Sequence, residues 1–354
     1  KTRIPRHVAT PDPVETVACG PHHCLLICNR DGVLTGNSHG NARSTPFRGG
    51  KVYSWGRGQG GVLGHGTDSD CTAPTEIPGL RGRAVVAVGC GAQFSVALDA
   101  QGRLYTWGSS AEGQLGRDTN HGHAPGLVSS TSMPSIASFA CGRAHVLART
   151  VSGALFSWGS ASHGQTGHLR PLLRAGENDD SCVEGNQTGT PPQEAESDLF
   201  VPAPRLVDVC GIGDLISQDE AAASRSPALP DLAISIVAVA AGDNHSLCVT
   251  ASGVVLGWGS NEFGQVGASR RHTRKSKPSQ SPGGASAIVR RPTTIAALPS
   301  VVSVACGALH SAAVTDVGDV YAWGYNGAGQ LGLGDTRNRR TPCPIEAVFE
   351  FRVT

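Results

Sequence analysis

The sequence has few of the features that mark membrane, secreted or nucleic-acid-binding proteins. Its 354 residues include one Met, four Tyr and only 16% charged residues, and no two cysteines have the spacing Cys-x-x-Cys. No apolar run approaches the ~18 residues that a membrane-spanning helix needs, so we expect no membrane span. The 29 basic and 28 acidic residues nearly cancel, so any contact with nucleic acid is expected to be indirect.

Glycine is what the chain has in abundance, with 47 Gly beside 22 Pro. Each glycine inside a helix costs roughly 1 kcal/mol relative to alanine, so this content disfavours a helical bundle. An apolar fraction of 39% is still enough for a core and excludes wholesale disorder. Several of the eleven cysteines lie in Ala-Cys-Gly runs, where they resemble small buried apolar residues. This use of cysteine predicts a reducing compartment, and hence an intracellular protein, cytoplasmic or nuclear.

Five copies of one motif organise the chain. Each copy has a small residue followed by glycine, a ring side chain three positions after that glycine, and a Trp-Gly pair downstream. A Gly-Gln-x-Gly cluster follows the Trp-Gly pair in the last four copies. Successive tryptophans lie 52, 51, 100 and 65 residues apart, so the period is about 51 with insertions. The repeated residues are Gly20, Gly91, Gly142, Gly242 and Gly307; His23, His145, His245 and His310, with Phe94 in the second copy; and Trp55, Trp107, Trp158, Trp258 and Trp323.

The segments between these markers predict four short β-strands per copy. A β-branched run precedes the first glycine, and a second run follows the ring residue. A tight turn with glycine leads to the run that ends in Trp, and proline introduces an outer strand, where its missing donor is not needed. Four short strands in ~51 residues are typical of a propeller blade. We therefore predict an all-β fold, a single β-propeller domain of four-stranded blades over residues 1–354. The five blade signatures lie near 17–80, 84–128, 136–207, 234–295 and 301–348.

The repeated residues are predicted to be structural. Inner strands converge near a propeller axis, where a small residue and a glycine permit a close approach, and each Trp fills the space between two blades. Each pair of a cysteine and a histidine four residues apart falls on a different blade, so no two pairs combine into the four ligands that a zinc site needs. The chain has no nucleophile elbow, zinc-binding helix or phosphate loop, and its Gly-x-Gly-x-x-Gly matches precede no helix. We predict no catalytic residue, no metal, no cofactor and no enzymatic activity.

The motif resembles the repeat of the regulator of chromosome condensation family. Residues 305–335 carry the likeness best, as Ala-Cys-Gly-x-x-His, then Thr-x-x-Gly, then Tyr-x-Trp-Gly-x-Asn-x-x-Gly-Gln-Leu-Gly-x-Gly-Asp. Members of that family form seven-bladed propellers, and the resemblance implies this type of propeller here. Five copies are recognisable, and residues 4–8 are predicted to be a stray outer strand before the first. Since the chain also begins at Lys1 rather than Met, we expect a partial propeller cut from a longer protein.

The resemblance bears on function as well. Family members include an exchange factor for a nuclear small GTPase, ciliary scaffolds, ubiquitin-ligase propellers and a plant light receptor. The resemblance implies a non-enzymatic protein-interaction scaffold or adaptor with a protein partner, of which a small GTPase is one class. The alternative is a guanine-nucleotide exchange factor for a Ran-like small GTPase with chromatin association, an activity that needs no catalytic acid or base. Light sensing needs tryptophans beyond the Trp-Gly positions, and the chain has none.

Four segments interrupt the repeat and are predicted to be long disordered insertions, at 35–50, 169–200, 214–231 and 268–291. In the first copy, residues 32–34 and 50–53 compete for the same strand of the hairpin, and the sequence leaves both open. Residues 176–198 carry seven acidic and no basic side chains, which predicts an acidic loop. The last insertion is basic, and is either a solvated loop, a localisation signal or a dock for an acidic partner. Its basic residues are Arg270, Arg271, Arg274, Lys275 and Lys277.

Overall fold

The computed structural model describes residues 10, 13–28, 50–118, 122–128, 133–168, 200–209, 234–268, 288–296 and 298–346. Within these ranges the regular structure is twenty short β-strands and two single-turn 3₁₀ helices, at Gln59–Gly61 and Pro78–Leu80. The strands form five antiparallel sheets of four strands each. The prediction of an all-β propeller with five four-stranded blades is confirmed. None of the helices in the described ranges is long and apolar enough to cross a membrane.

Each sheet is one blade, made of four strands that are consecutive in sequence. The first strand of a blade lies nearest the propeller axis, and the fourth lies at the outer edge. Blade 1 is β1 (Val14–Cys19), β2 (His23–Cys28), β3 (Lys51–Gly56) and β4 (Cys71–Glu76). Blade 2 is β5 (Val85–Cys90), β6 (Phe94–Asp99), β7 (Leu104–Gly108) and β8 (Gly126–Leu127). Blade 3 is β9 (Ile136–Cys141), β10 (His145–Thr150), β11 (Leu155–Ser160) and β12 (Phe200–Leu206). Blade 4 is β13 (Ile236–Ala241), β14 (His245–Thr250), β15 (Val255–Ser260) and β16 (Ile288–Thr294). Blade 5 is β17 (Val301–Cys306), β18 (His310–Thr315), β19 (Val320–Gly324) and β20 (Arg339–Pro344).

The turn between the second and third strands uses a side chain to complete its hydrogen bonds. In blade 3, Gly153 has a φ of +86° and donates its N–H to the carbonyl of Thr150 at 3.1 Å. The hydroxyl of Thr150 accepts the N–H of Ala154 at 2.9 Å. In blade 2 the carboxylate of Asp99 does the same for Arg103 at 3.0 Å. A short side-chain acceptor and a glycine three residues later therefore define this hairpin.

The glycine cluster after each Trp-Gly pair forms a compact turn that its own polar side chains stabilise. In blade 4, the side-chain oxygen of Gln265 accepts the N–H of Phe263, and that of Asn261 accepts the N–H of Val266, both at 3.0 Å. The flanking Gly264 has a φ of +89°. This explains why the motif carries Asn and Gln at fixed spacing in a loop that is otherwise glycine-rich.

The hydrophobic core lies between consecutive blades. Four buried clusters combine side chains of neighbouring blades, and each cluster includes the tryptophan of the later blade. Trp158, for example, is fully buried with Phe94 and Leu115 of the preceding blade. Trp55, in the first blade, is only half-buried. The indoles therefore join the blades to one another, which is how a repeat too small to fold alone gains stability.

The structure decides several boundaries that the sequence misplaces or leaves open. The strand that pairs with β2, β3, begins at Lys51, so residues 51–53 belong to it, whereas residues 32–34 lie outside the described residues. β16 begins at Ile288 and β12 at Phe200, so residues 288–291 and residue 200, which the sequence assigns to insertions, belong to strands instead. Ile288 and Val289 pair with β15. The stray strand predicted at 4–8 lies outside the described residues, as do most of the predicted insertions: 35–49, 169–199, 214–231 and 269–287.

The misplaced boundary of β16 has a physical cause. This outermost strand is paired on one side only, and Arg290 and Arg291 are both exposed. Its sequence therefore lacks the alternation of apolar and polar residues that marks a half-buried strand. Because Arg290 and Arg291 continue the basic composition of the preceding segment, the predicted insertion was extended to residue 291.

Candidate functional site

The turns between the first and second strands of the five blades converge at one end of the propeller axis. We call these turns the apex ring; they are residues 20–22, 91–93, 142–144, 242–244 and 307–309. In each turn the glycine N–H donates to the carbonyl of the ring residue, as Gly142 does to His145 at 2.9 Å. A Cβ at Gly242 would lie 2.6 Å from the carbonyl oxygen of Gly307 in the next blade. The close approach of the inner strands therefore requires glycine.

Backbone hydrogen bonds join neighbouring turns of the apex ring. The N–H groups of Ala92, Arg143 and Asp243 donate to the carbonyls of Arg143, Asp243 and Ala308, at 2.9, 3.2 and 3.1 Å. Pro21 stands at this position in blade 1 and has no N–H to donate. The ring is thus a hydrogen-bonded frame that carries exposed side chains of varied chemistry. The exposed residues are Pro21, His22, Gln93, Arg143 and Ala308.

The apex ring surrounds an open cavity of about 290 Å³ on the propeller axis, lined by all five blades. The charged side chains of the lining are Arg143 and Asp243, on neighbouring turns. Thiols also line it, and burial raises the pKa of Cys141 and raises the pKa of Cys306 to about 12. Neutral thiols are weak nucleophiles, so Cys141 and Cys306 are expected to be inert in this site.

A backbone carbonyl of the glycine cluster receives two hydrogen bonds from the next blade. Between blades 3 and 4, the carbonyl oxygen of Gln165 accepts from the indole N–H of Trp258 at 2.9 Å and from the hydroxyl of Ser246 at 2.7 Å. The oxygen of Ser246 lies 2.9 Å from Nε2 of His145. We call this arrangement the interblade node. The equivalent residues are Val62, Trp107, Ser95 and His23 between blades 1 and 2, and Gln265, Trp323, Ser311 and His245 between blades 4 and 5.

The node holds its histidine in the neutral form. Because Ser246 donates its proton to Gln165, its oxygen accepts from His145, and Nε2 of the imidazole therefore carries the proton. Nδ1 of His145 is buried and has no hydrogen-bond partner in the described part of the chain. Burial, with a smaller contribution from His245, lowers the pKa of His145 to about 3. Burial, with a smaller contribution from His310, likewise lowers the pKa of His245 to about 3.

The junction between blades 2 and 3 replaces the polar part of the node with an apolar contact. Phe94 stands at the histidine position and Val146 at the serine position, and both are fully buried in one cluster. The indole N–H of Trp158 still donates to the carbonyl of Gln114, at 3.0 Å. The histidine and the serine are thus replaced together, one on each side of the junction.

The two ends of the blade series differ from its interior. A Cβ at Gly167 would lie 2.9 Å from the indole nitrogen of Trp258, whereas one at the equivalent Gly332 of blade 5 would have its nearest neighbour, in Ile345, at 3.9 Å. His310 is only partly buried, and burial lowers its pKa. In the described part of the chain, no later blade packs on Gly332 and no earlier one on Trp55.

The residues that the sequence singles out fall into three groups in the structure. The repeat glycines lie in the apex ring, and the tryptophans and histidines lie on faces between blades, except for Trp55 and His310 at the two ends of the described series. The basic segment, residues 270–277, lies outside the described residues. No group of three or more His, Cys, Asp or Glu side chains suited to a metal ion occurs in the part of the chain that the structure describes.

Sequence reasoning missed the serines of the interblade node and the carbonyls that they contact. A signal for the serines was available, because Ser95, Ser246 and Ser311 each follow the ring residue directly. The acceptors carried no signal, because they are backbone atoms and every residue has one.

Two family models match the chain, both described as the regulator of chromosome condensation (RCC1) repeat. The ranges of the first model reach into all five blades, and the second model matches blades 2 to 5. The first matches residues 49–98, 101–149, 252–314 and 317–354, and the second matches 85–114, 136–165, 236–265 and 301–330.

Two of the similar proteins are a light receptor and a ubiquitin ligase, and this chain matches only part of each. The ultraviolet-B receptor UVR8 of Arabidopsis thaliana is 31% identical over 336 residues, which are 95% of this chain and 58% of the receptor. The human E3 ubiquitin-protein ligase HERC2 is 31% identical over 327 residues, 91% of this chain and 5% of the ligase. The chain thus spans little more than half of one relative and a small fraction of the other.

Two solved structures share the fold. Human WBSCR16 superposes with a TM-score of 0.65 at 20% identity, covering 96% of this chain and 69% of that one. Prp20p of Saccharomyces cerevisiae superposes with a TM-score of 0.63 at 22% identity, covering 94% of this chain and 77% of that one.

Proposed function

The chain belongs to the regulator of chromosome condensation (RCC1) repeat family, and from this premise we propose that it is a non-enzymatic protein-interaction module. In finer terms, it is a scaffold or adaptor whose apex ring contacts a protein partner. The cysteine usage of the sequence favours an intracellular location for this role, in the cytoplasm or the nucleus.

The apex ring is the observation that carries this proposal. Backbone hydrogen bonds fix the turns of blades 2 to 5 relative to one another, while the exposed side chains of the apex ring take no part in the blade junctions. Exposed side chains on a rigid repeat scaffold are the usual way in which such proteins recognise partners. A pre-formed surface also loses little conformational entropy on binding.

The acidic and basic segments of the sequence join the propeller at the same end as the apex ring. In blade 4, Gly259 pairs with His245, which follows the apex turn, and with Val289 near the start of β16. The chain between β15 and β16 therefore leaves and re-enters beside the apex ring, and the same pairing holds in blade 3. We propose that the opposite charges of these two connecting segments steer the association of a partner with this end.

Affinity capture with the purified chain tests the proposal. We expect the triple variant His22→Ala, Gln93→Ala, Arg143→Ala to retain about a tenth of the partner that the parent chain captures, a loss of roughly 1.4 kcal/mol in binding free energy. The matched control carries Val151→Ser and Val317→Ser, two exposed residues in the turns at the opposite end. Capture that survives the apex substitutions and fails in the control would place the binding surface at the other end.

The basic segment has its own test. Replacing Arg270, Arg271, Arg274, Lys275 and Lys277 by alanine is expected to slow association with the captured partner, most strongly at low ionic strength. Unchanged association and unchanged location in cells would make the segment a passive loop.

Nucleotide exchange on a small GTPase is the alternative form of partner binding. The family supports this alternative, and a structural neighbour, Prp20p, binds Gsp1p and histones. Release of labelled GDP from a panel of small GTPases, Ran-like members included, distinguishes the two. Acceleration that the apex variant abolishes would replace the scaffold with an exchange factor, and no acceleration across the panel leaves the scaffold.

A further inference from the structure

Cysteines on both strands of one hairpin distinguish blade 1 from the other four blades. Cys19 ends β1, and Cys24 lies directly opposite it on β2. Blade 1 therefore has a thiol at the register where the interblade node elsewhere uses serine. The pairs at the same register in the other blades are Cys90 with Ser95, Cys141 with Val146, Ala241 with Ser246, and Cys306 with Ser311.

The geometry of this pair suits a covalent bond between the sulfur atoms. The two Sγ atoms lie 3.6 Å apart. Gly20 donates its N–H to the carbonyl of His23 at 2.8 Å, so the next pair outward, Cys19 and Cys24, is of the non-hydrogen-bonded kind. Cα atoms in such pairs lie roughly 4.5 Å apart, inside the range of about 4.4–6.8 Å that disulfides span. Small rotations of the two side chains therefore suffice to join the sulfurs.

The two thiols differ in access to solvent. Cys19 is exposed, Cys24 is partly buried, and the nearby Cys28 is fully buried. Burial, together with the contact with Cys19, raises the pKa of Cys24 to about 11. A dissolved oxidant therefore reaches Cys19 first, and Cys24 is placed to react in the second step.

We propose that Cys19 and Cys24 form a reversible thiol–disulfide site, oxidised by a small-molecule disulfide such as oxidised glutathione. The Cys19 thiolate attacks one sulfur of the oxidant, which forms a mixed disulfide and releases one glutathione thiolate. Cys24, on losing its proton, attacks the sulfur of Cys19 and releases the second glutathione thiolate. The two protein thiols are oxidised to one disulfide, the oxidant is reduced to two glutathione molecules, and these take up the two protons.

The bond is expected to be easy to reduce. It closes a loop of only six residues, 19–24, so it constrains the unfolded chain little. One of its sulfurs is open to solvent, and exposed disulfides are the labile ones. The site thus responds to the ratio of oxidised to reduced glutathione and does not act as a permanent crosslink.

Peptide mapping after equilibration in glutathione buffers tests the proposal. Free thiols are alkylated at the end of the incubation, and the chain is cleaved after Glu15 and Arg30, which isolates residues 16–30. With oxidised glutathione in excess, this peptide should lose two hydrogens and fragment as a Cys19–Cys24 disulfide. Excess reduced glutathione should restore both thiols.

The variant Cys24→Ser is the matched control, because serine is the residue that three other blades have at this position. Without the second thiol, Cys19 should retain glutathione, at about tenfold higher occupancy than in the parent chain. Circular dichroism of the variant checks that the blade still folds. A parent chain in which Cys19 accumulates glutathione as the variant does, or in which Cys19 is joined to Cys90, would overturn the proposal.

Discussion

Phe94 and Val146 are buried together at the one described junction that lacks the histidine–serine hydrogen bond. Each stands in a different blade, 52 positions apart, and each departs from the repeat in the same direction, from polar to apolar. A buried imidazole without an acceptor, or a buried hydroxyl without a donor, costs free energy that a matched apolar pair avoids. The residue at the histidine position of one blade is therefore matched to the residue at the serine position of the next blade. The role of either residue is clear only when both blades are considered.

The paired replacement predicts a strong coupling between the two positions. Phe94→His alone would bury an imidazole against Val146, and we expect it to lower the free energy of unfolding by about 2–3 kcal/mol. Adding Val146→Ser restores the acceptor and should recover roughly 1 kcal/mol or more. Urea unfolding of the two single variants and the double variant measures the coupling. Strictly additive effects would mean that the two positions do not interact.

The indoles predict that stability depends on where a tryptophan lies in the series. Trp258 is fully buried and donates to the carbonyl of Gln165, so Trp258→Phe loses packing and a hydrogen bond and should cost about 2 kcal/mol. Trp55 is half-buried, and the described residues provide no acceptor for its indole, so Trp55→Phe should cost less than about 1 kcal/mol. Thermal unfolding of the two variants checks this order. Equal losses would show that Trp55 also packs in a full junction.

The glycines that face the indoles predict a steric effect that can be separated from backbone strain. Gly167 and Gly332 have similar φ angles, +74° and +69°, but only the Cβ of the first would contact an indole. Gly332→Ala should therefore cost about 1–2 kcal/mol for the left-handed backbone alone. Gly167→Ala adds the clash with Trp258 and should cost about 2 kcal/mol more. If the two variants lose the same stability, the indole moves aside at no cost and the close contact does not matter.

The sequence predicts the features of this fold that arise within one blade better than the contacts that form between blades. The glycines at positive φ, the turn acceptors such as Thr150 and the Trp-Gly pairs act within one blade, so their period predicted the strands and the fold. The interblade node depends on a hydrogen bond from Trp258 to the backbone carbonyl of Gln165, which lies 93 residues earlier. Because the acceptor is a backbone atom, the identity of residue 165 does not predict this contact. The start of the edge strand β16 was misplaced because its sequence does not alternate between apolar and polar residues.

The same distinction applies to the candidate site. The repeat glycines marked the apex turns, but the exposed side chains of these turns, such as Gln93 and Arg143, are not repeated between blades and gave no signal in a single sequence. The Cys19–Cys24 pair became visible only when the register of β1 and β2 was known, because four intervening residues do not by themselves place two thiols in contact.

The buried histidines predict a loss of stability in mild acid. Burial lowers the pKa of His145 and His245 to about 3, and burial and the neighbouring His22 lower that of His23 to about 4, against an ordinary value of 6.5. Below pH 6.5 the unfolded chain binds protons that the folded chain does not. The stability present above pH 6.5 is therefore lost as the pH falls toward 3–4, at up to roughly 1.4 kcal/mol per pH unit for each histidine.

This acid sensitivity can be assigned to one junction with a substitution that the chain itself supplies. The double variant His145→Phe, Ser246→Val copies the Phe94–Val146 junction and removes one titrating imidazole together with its partner. Urea unfolding between pH 6.5 and 5, above the range in which most carboxylates titrate, should show a slope smaller by up to about 1.4 kcal/mol per pH unit than that of the parent. The single variant Ser246→Val, which keeps the imidazole but removes its acceptor, should retain the parent's slope at lower overall stability. If the double variant loses stability with pH as steeply as the parent, His145 is not neutral in the folded chain, and the proton assignment of the interblade node is wrong.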